Sequence, residues 1–185
     1  MPIHHDHHRR SLRLKGYDYS LAGAYFVTLN VHQRRHLFGD VAVSGSGEPG
    51  VLLNEAGLAV LNCWMQIPAH FPLVELDTFI VMPDHVHGIV LLADQGLPLR
   101  ANWANDDSPL PKRTSAGLSS IVRGFKIGAT KWFKEHRPEL GAVWQRSYYE
   151  HVIRSDEELH NTRDYIMENP ARRLASMSGG RVNHR

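Results

Sequence analysis

The sequence predicts an α+β fold of the ferredoxin-like kind, an antiparallel sheet with helices packed on one face in the order β-α-β-β-α-β-α. Three observations predict it. β-prone apolar segments fall at residues 25–31, 73–82, 85–92 and 143–154. Segments with helical apolar spacing alternate with them at 54–68, from Ser115 or Leu118 to about His136, and at 156–169. Only Pro83-Asp84, a pair with turn chemistry, separates the second strand from the third, so these two read as a hairpin.

Each element has its own warrant. Tyr25-Phe26-Val27-Thr28-Leu29-Asn30-Val31 alternates and is rich in β-formers. Ser44-Gly45-Ser46-Gly47-Glu48-Pro49-Gly50 is turn composition and reads as a hairpin tip or surface connection. The first helix, from Asn54 to about Pro68, places Ala56, Val60, Trp64 and Ile67 on one face. Phe79-Ile80-Val81-Met82 and the run from Gly88 to Leu92 form the two arms of the hairpin. Residues 95–116 hold Pro98, Pro109, Pro111, Asn105, Asp106 and Asp107 with little periodicity and read as a mobile loop. The long helix after it turns Ile121, Phe125, Ala129 and Trp132 or Phe133 inward, with basic residues on its other face. Residues 143–154 read as the fourth strand. The last helix is capped by Ser155 or Asp156 and ends at Pro170, because the residue before a proline avoids the α region.

At 185 residues and 42% hydrophobic content the chain can bury one good core, so a single domain is expected over 1–185. Residues 1–20 read as a basic N-terminal arm and 174–185 as a flexible tail. No apolar stretch approaches the roughly 20 residues that span a bilayer. The N-terminus, with its His4-His5-Asp6-His7-His8 tract, lacks the apolar core of a signal peptide. A soluble cytoplasmic protein without membrane partners is expected. A single cysteine, Cys63, excludes an internal disulfide and a cysteine-based zinc cluster, and reads as a core thiol.

The net charge of +2 does not announce a nucleic-acid binder, yet the basic residues cluster. Arg9, Arg10, Arg13 and Lys15 form one group, Arg34 and Arg35 a second, Arg123, Lys126, Lys131 and Lys134 a third, and Arg172, Arg173, Arg181 and Arg185 a fourth. Any one such cluster is more often an ordinary solvated face. Four together point to a phosphate-bearing partner.

His85-Val86-His87 is the most informative motif, since two imidazoles at i and i+2 on a strand face the same way and make half a metal site. Alone, such a pair is more often packing or surface. Tyr165 and Asn169, four apart on a helix face, raise the metal reading, although a packed aromatic and a polar helix end are the plain alternatives. With the last helix against the hairpin, two imidazole nitrogens and an amide oxygen suit Mg²⁺ or Mn²⁺, less surely Zn²⁺. Such an ion polarises a phosphodiester, and a neighbouring tyrosine hydroxyl can attack its phosphorus.

Three blocks, in order, carry a resemblance over most of the chain. They are Arg9 to Tyr19 with Gly23-Ala24-Tyr25-Phe26-Val27-Thr28, then Val81-Met82-Pro83-Asp84-His85-Val86-His87-Gly88, then Val143-Trp144-Gln145-Arg146 through Tyr149-Glu150-His151-Val152-Ile153-Arg154 with Tyr165-Ile166 and Glu168-Asn169-Pro170. Together these resemble the histidine-hydrophobic-histidine superfamily of single-strand DNA transposases and nucleases, specifically the REP-associated tyrosine transposases.

The resemblance implies a transposase, a divalent-metal-dependent endonuclease and strand transferase that passes through a covalent 5′-phosphotyrosine. By position, His85 and His87 are implied as metal ligands, Asn169 as the third, Tyr165 as the nucleophile and Mg²⁺ or Mn²⁺ as the cofactor. The implied partner is single-stranded DNA with an imperfect hairpin, cut beside a short guide sequence. Arg9, Arg10, Arg13 and Lys15 would track its phosphates or a groove, and Arg123, Lys126 and Lys131 would flank the scissile strand. Either a monomer or a homodimer fits. The loop at 95–116 and the tail after Arg173 lie outside the matched blocks.

Rival readings stay open at this level. A domesticated hairpin-DNA-binding protein would bind without cutting. A hydrolase using metal-bound water would cut without a protein-DNA adduct, and a plain interaction domain would bind neither ions nor nucleic acid.

Overall fold

The computed structural model describes residues 17–93 and 117–179. Arg9, Arg10, Arg13 and Lys15 of the expected arm, the loop at 95–116 and the end of the expected tail lie outside the described residues.

Four strands, β1 (Gly23–Asn30), β4 (Val74–Met82), β5 (His85–Leu92) and β6 (Tyr149–Ile153), form one antiparallel sheet in the order β4-β5-β1-β6. The hairpin therefore lies to one side of β1 and the late strand to the other, the ferredoxin-like order expected from the sequence. The Gly/Ser turn is the tip of a separate ribbon made by β2 (Gly39–Val43) and β3 (Pro49–Leu53).

Because side chains alternate along a strand, the two central strands feed two cores. Tyr25, Val27 and Leu29 of β1 and Val86, Val90 and Leu92 of β5 enter the larger one. Two helices cover it, α1 (Glu55–Met65) with Val60 and Trp64 and, after a short α2 (Ile67–His70) and the hairpin, α3 (Leu118–His136) with Ile121, Phe125, Ala129 and Phe133. Asn54 caps α1 by accepting from the Gly57 backbone N–H at 3.0 Å. The expected helices on one face are α1 and α3.

A further helix, α4 (Asp156–Met167), covers the opposite face, where Leu159 and Ile166 meet Ala24, Phe26, Ile89 and Leu91. Ser155 caps it by accepting from the Glu158 N–H, and Asp156, Glu157 and Glu158 place negative charge at its positive end. Asp77 of β4, beside an irregularity in the β4-β5 register, ties α4 to the sheet edge: Nε and Nη2 of Arg163 donate to its two oxygens at 2.8 and 2.5 Å.

The chain does not leave the helical region at Pro170. Another helix, α5 (Asn169–Gly179), starts there and takes in residues 174–179 of the expected tail. A proline is tolerated in a first turn, where its missing N–H has no intrahelical partner to lose. The Arg172 N–H then bonds back to the Glu168 carbonyl. Residues 143–148 also differ from expectation, since they touch the sheet through a single bridge from Trp144 to Val31, and β6 starts only at Tyr149. Among the described residues no helix is long and apolar enough to cross a membrane.

Candidate active site

Strand register sets out the site. Opposed residues of antiparallel strands share a face, and the pairs Ile80 with His87, His87 with Thr28 and Thr28 with Tyr149 make one transverse row under α4. The adjoining row is Met82, His85 and Asn30. A cleft of about 980 Å³ opens over both rows, and His85, His87, Thr28, Tyr149, Tyr165 and Asn169 line it.

The two imidazoles are buried, with ring centroids 4.4 Å apart and planes at 76°. Each has one nitrogen engaged. Nδ1 of His85 donates to Oδ1 of Asp84 at 2.6 Å, and Nδ1 of His87 bonds Oγ1 of Thr28 at 2.9 Å. With Nδ1 engaged in each ring, the Nε2 atoms are the candidate ligands for an ion. Burial first, then the neighbouring His85 and Arg34, push the His87 imidazole down to about 3, so the ring is neutral near pH 7.

Asp84 is itself buried. Burial alone would raise its carboxyl, but the hydrogen bond from His85 and the positive charges of Arg34 and Arg173 outweigh that and hold it below the ordinary carboxylate range. Arg34 reaches it with Nε at 3.0 Å and also donates to the Asn30 side chain. The turn that carries Arg34 is strained, with Gln33 and Arg34 both in the left-handed region at φ 58° and 56°.

Tyr165 sits at the end of α4, 39% exposed, its ring centroid 5.5 Å from that of His87 and 6.0 Å from that of Phe26. The Arg172 guanidinium lies 5.5 Å from its ring centre and is held by Glu168 at 2.8 Å. Arg173 donates to Nε2 of His36 at 2.9 Å, and Arg34, Arg172 and Arg173 all border the cleft. Among the described residues no three His, Cys, Asp or Glu side chains gather as a metal cage. The donor set on offer is two imidazoles and the Asn169 amide, and its neutral nitrogens and oxygen fit a divalent ion with open positions.

His85, His87, Tyr165 and Asn169 thus line one cleft. Arg123, Lys126 and Lys131 do not join them, because α3 packs on the other side of the sheet. Lys126 donates to the Gln145 carbonyl at 2.9 Å, and burial pushes its ammonium down to about 8. Sequence reasoning missed the pairing of Asp84 with His85, the Thr28 bond and the facing Tyr149. The alternation of β1 and β6 carried the last two, but only once their register was known.

No family model matches the chain. It is 40% identical over 170 residues to an uncharacterized protein of Haemophilus influenzae, a match covering 89% of each chain. A second Haemophilus influenzae protein, provisionally named a REP-associated tyrosine transposase, is 24% identical over 155 residues, 84% of this chain and 74% of that one. Among solved structures, a REP-associated tyrosine transposase bound to a REP hairpin superposes with a TM-score of 0.53 at 22% identity, over 85% of this chain and 72% of that one. This likeness shows that the fold is shared. The second relative and the shared fold fit the REP-associated tyrosine transposase family that the sequence resembles.

Proposed function

We propose that the protein is a divalent-metal-dependent endonuclease and strand transferase acting in the cytoplasm on single-stranded hairpin DNA, with Tyr165 as its nucleophile. The observation that carries this reading is the approach of Tyr165 to His87 across a cleft lined by both histidines, each with its Nδ1 engaged by a neighbour. The solved relative is bound to a REP hairpin, which supports the same class of substrate here.

Nε2 of His85, Nε2 of His87 and the side-chain oxygen of Asn169 would hold Mg²⁺ or Mn²⁺. When bound, the ion polarises the scissile phosphate and offsets charge on its non-bridging oxygens. Arg34, Arg172 and Arg173 give the rim the positive charge that draws the strand in. Tyr165 Oη forms a bond to phosphorus as the bond to the 3′ oxygen breaks. The phenol proton passes to water, the departing oxygen takes one up as a 3′-hydroxyl, and the 5′-phosphate stays on the tyrosine. Attack by another 3′-hydroxyl reverses the step and joins a new end. The Asp77–Arg163 pair holds α4 on its own sheet, which supports a tyrosine serving the histidines of the same chain. Arg123 and Lys131, exposed on α3, and the arm residues Arg9, Arg10, Arg13 and Lys15 are proposed contacts for the hairpin stem away from the cleft.

The test is incubation of the protein with labelled single-stranded hairpins from its own genomic flanks, with Mg²⁺ or Mn²⁺, followed by a denaturing gel. A covalent adduct that chelator removes supports the reading. Cleavage without an adduct favours metal-bound water, and binding without cleavage favours a recognition protein.

A further inference from the structure

Tyr149 is an exposed aromatic side chain of the cleft that this mechanism does not use. It is 40% exposed although it sits on a strand of the main sheet, and its ring lines the same cleft as Tyr165. It shares the transverse row of His87 with only Thr28 between them. Two interstrand spacings separate the two residues, roughly 10 Å.

The ring is braced. Phe26 meets it edge-on at 6.1 Å and 67°, and the same Phe26 stacks on His87 at 5.4 Å and meets Tyr165 at 6.0 Å. One buried phenylalanine therefore fixes Tyr149 relative to both the histidines and the nucleophile. Arg34, Arg172 and Arg173 border the same cleft, so it offers cations to a backbone and an open aromatic face to whatever the backbone carries.

We infer that Tyr149 is a stacking site for an unpaired nucleobase beside the scissile phosphate, an inference that rests on the reading of the cleft as a DNA site. A base inside a duplex has both faces covered by its neighbours, whereas one in a single strand can swing out onto an aromatic ring. The site thereby selects for single-stranded character next to the point of cleavage. It needs the ring and not the hydroxyl.

The test is binding of hairpin DNA with a single-stranded flank to the full-length protein, with chelator present so that the strand stays intact. Tyr149→Ala is expected to weaken binding by roughly 5- to 100-fold, the range of one lost base-aromatic stack. Tyr149→Phe and Tyr149→Trp are expected to bind within about threefold of the unaltered chain, which also separates lost stacking from misfolding. An abasic nucleotide at one flank position is expected to weaken the unaltered protein to the same degree, and Tyr149→Ala no further. Unchanged affinity in Tyr149→Ala, loss in Tyr149→Phe equal to that in Tyr149→Ala, or full additivity with the abasic substitution at every flank position overturns the stacking site alone. Failure of the unaltered chain to bind single-stranded DNA overturns it together with the proposed function.

Discussion

The Asp84 carboxylate lies 2.6 Å from Nδ1 of His85, buried between that ring and the guanidinium of Arg34. Its charge fixes the imidazole with the proton on Nδ1 and the lone pair of Nε2 toward the cleft. A residue that sequence reads as a turn former thus also orients the first ring of the motif.

Asp84→Ala should lower the affinity for Mn²⁺ by about 10- to 100-fold, as loss of an outer partner of a ligating histidine commonly does. Asp84→Asn retains an acceptor oxygen and should recover most of that loss. Titration calorimetry of the three proteins checks this, and equal affinities in all three would remove Asp84 from the site.

Behind the histidines, Gly88 gives the Trp64 ring its place against β5. A Cβ added at Gly88 would stand 2.4 Å from Cζ2 of Trp64 and 3.1 Å from Cβ of Phe79. Gly88→Ala should therefore destabilise the fold by about 1–3 kcal/mol through overpacking. Urea denaturation measures it, and the cost should shrink in a Trp64→Leu background, where the ring is gone.

The Asp77–Arg163 pair gives stability a pH dependence. The Arg163 hydrogen bonds, opposed by burial and helped by Thr78, hold the Asp77 carboxyl at about 2, below its ordinary 3.8. A folded value below the unfolded one means that the contribution is complete above pH 3.8 and is lost as pH falls toward 2. Asp77→Asn should cost about 1–2 kcal/mol at neutral pH, allowing for solvent around Arg163, and the gap between the two proteins should close over that window. Melting curves at pH 7, 4 and 2.5 read it; a gap that stays constant would contradict the assignment.

Much of this was legible in the sequence because periodicity reports burial. Val60 and Trp64, or Ile121, Phe125 and Ala129, recur at helical spacing and are core residues. His85 and His87 share a face because strands alternate. What stayed hidden depends on long-range register or on a residue with two possible uses. Asn169-Pro170 stops a helix as readily as it starts one, and only the packing of α5 against the β2-β3 ribbon decides. Arg34 lies far in sequence from Asp84, so no local pattern joins them. The chain before Tyr149 carries strand-forming Val143 and Trp144, but the Gln145 and Ser147 carbonyls are bonded by Lys126 instead of a neighbouring strand.

Two tyrosines open onto one cleft, and only one of them approaches His87 as the nucleophile of this account. The most direct measurement is peptide mapping, by mass spectrometry, of the adduct trapped on single-stranded hairpin DNA with Mg²⁺ or Mn²⁺. The 5′-phosphate is predicted on Tyr165, and Tyr165→Phe is predicted to fold with unchanged stability while yielding no adduct. Phosphate on Tyr149, or cleavage by Tyr165→Phe at the unaltered rate, would contradict the account.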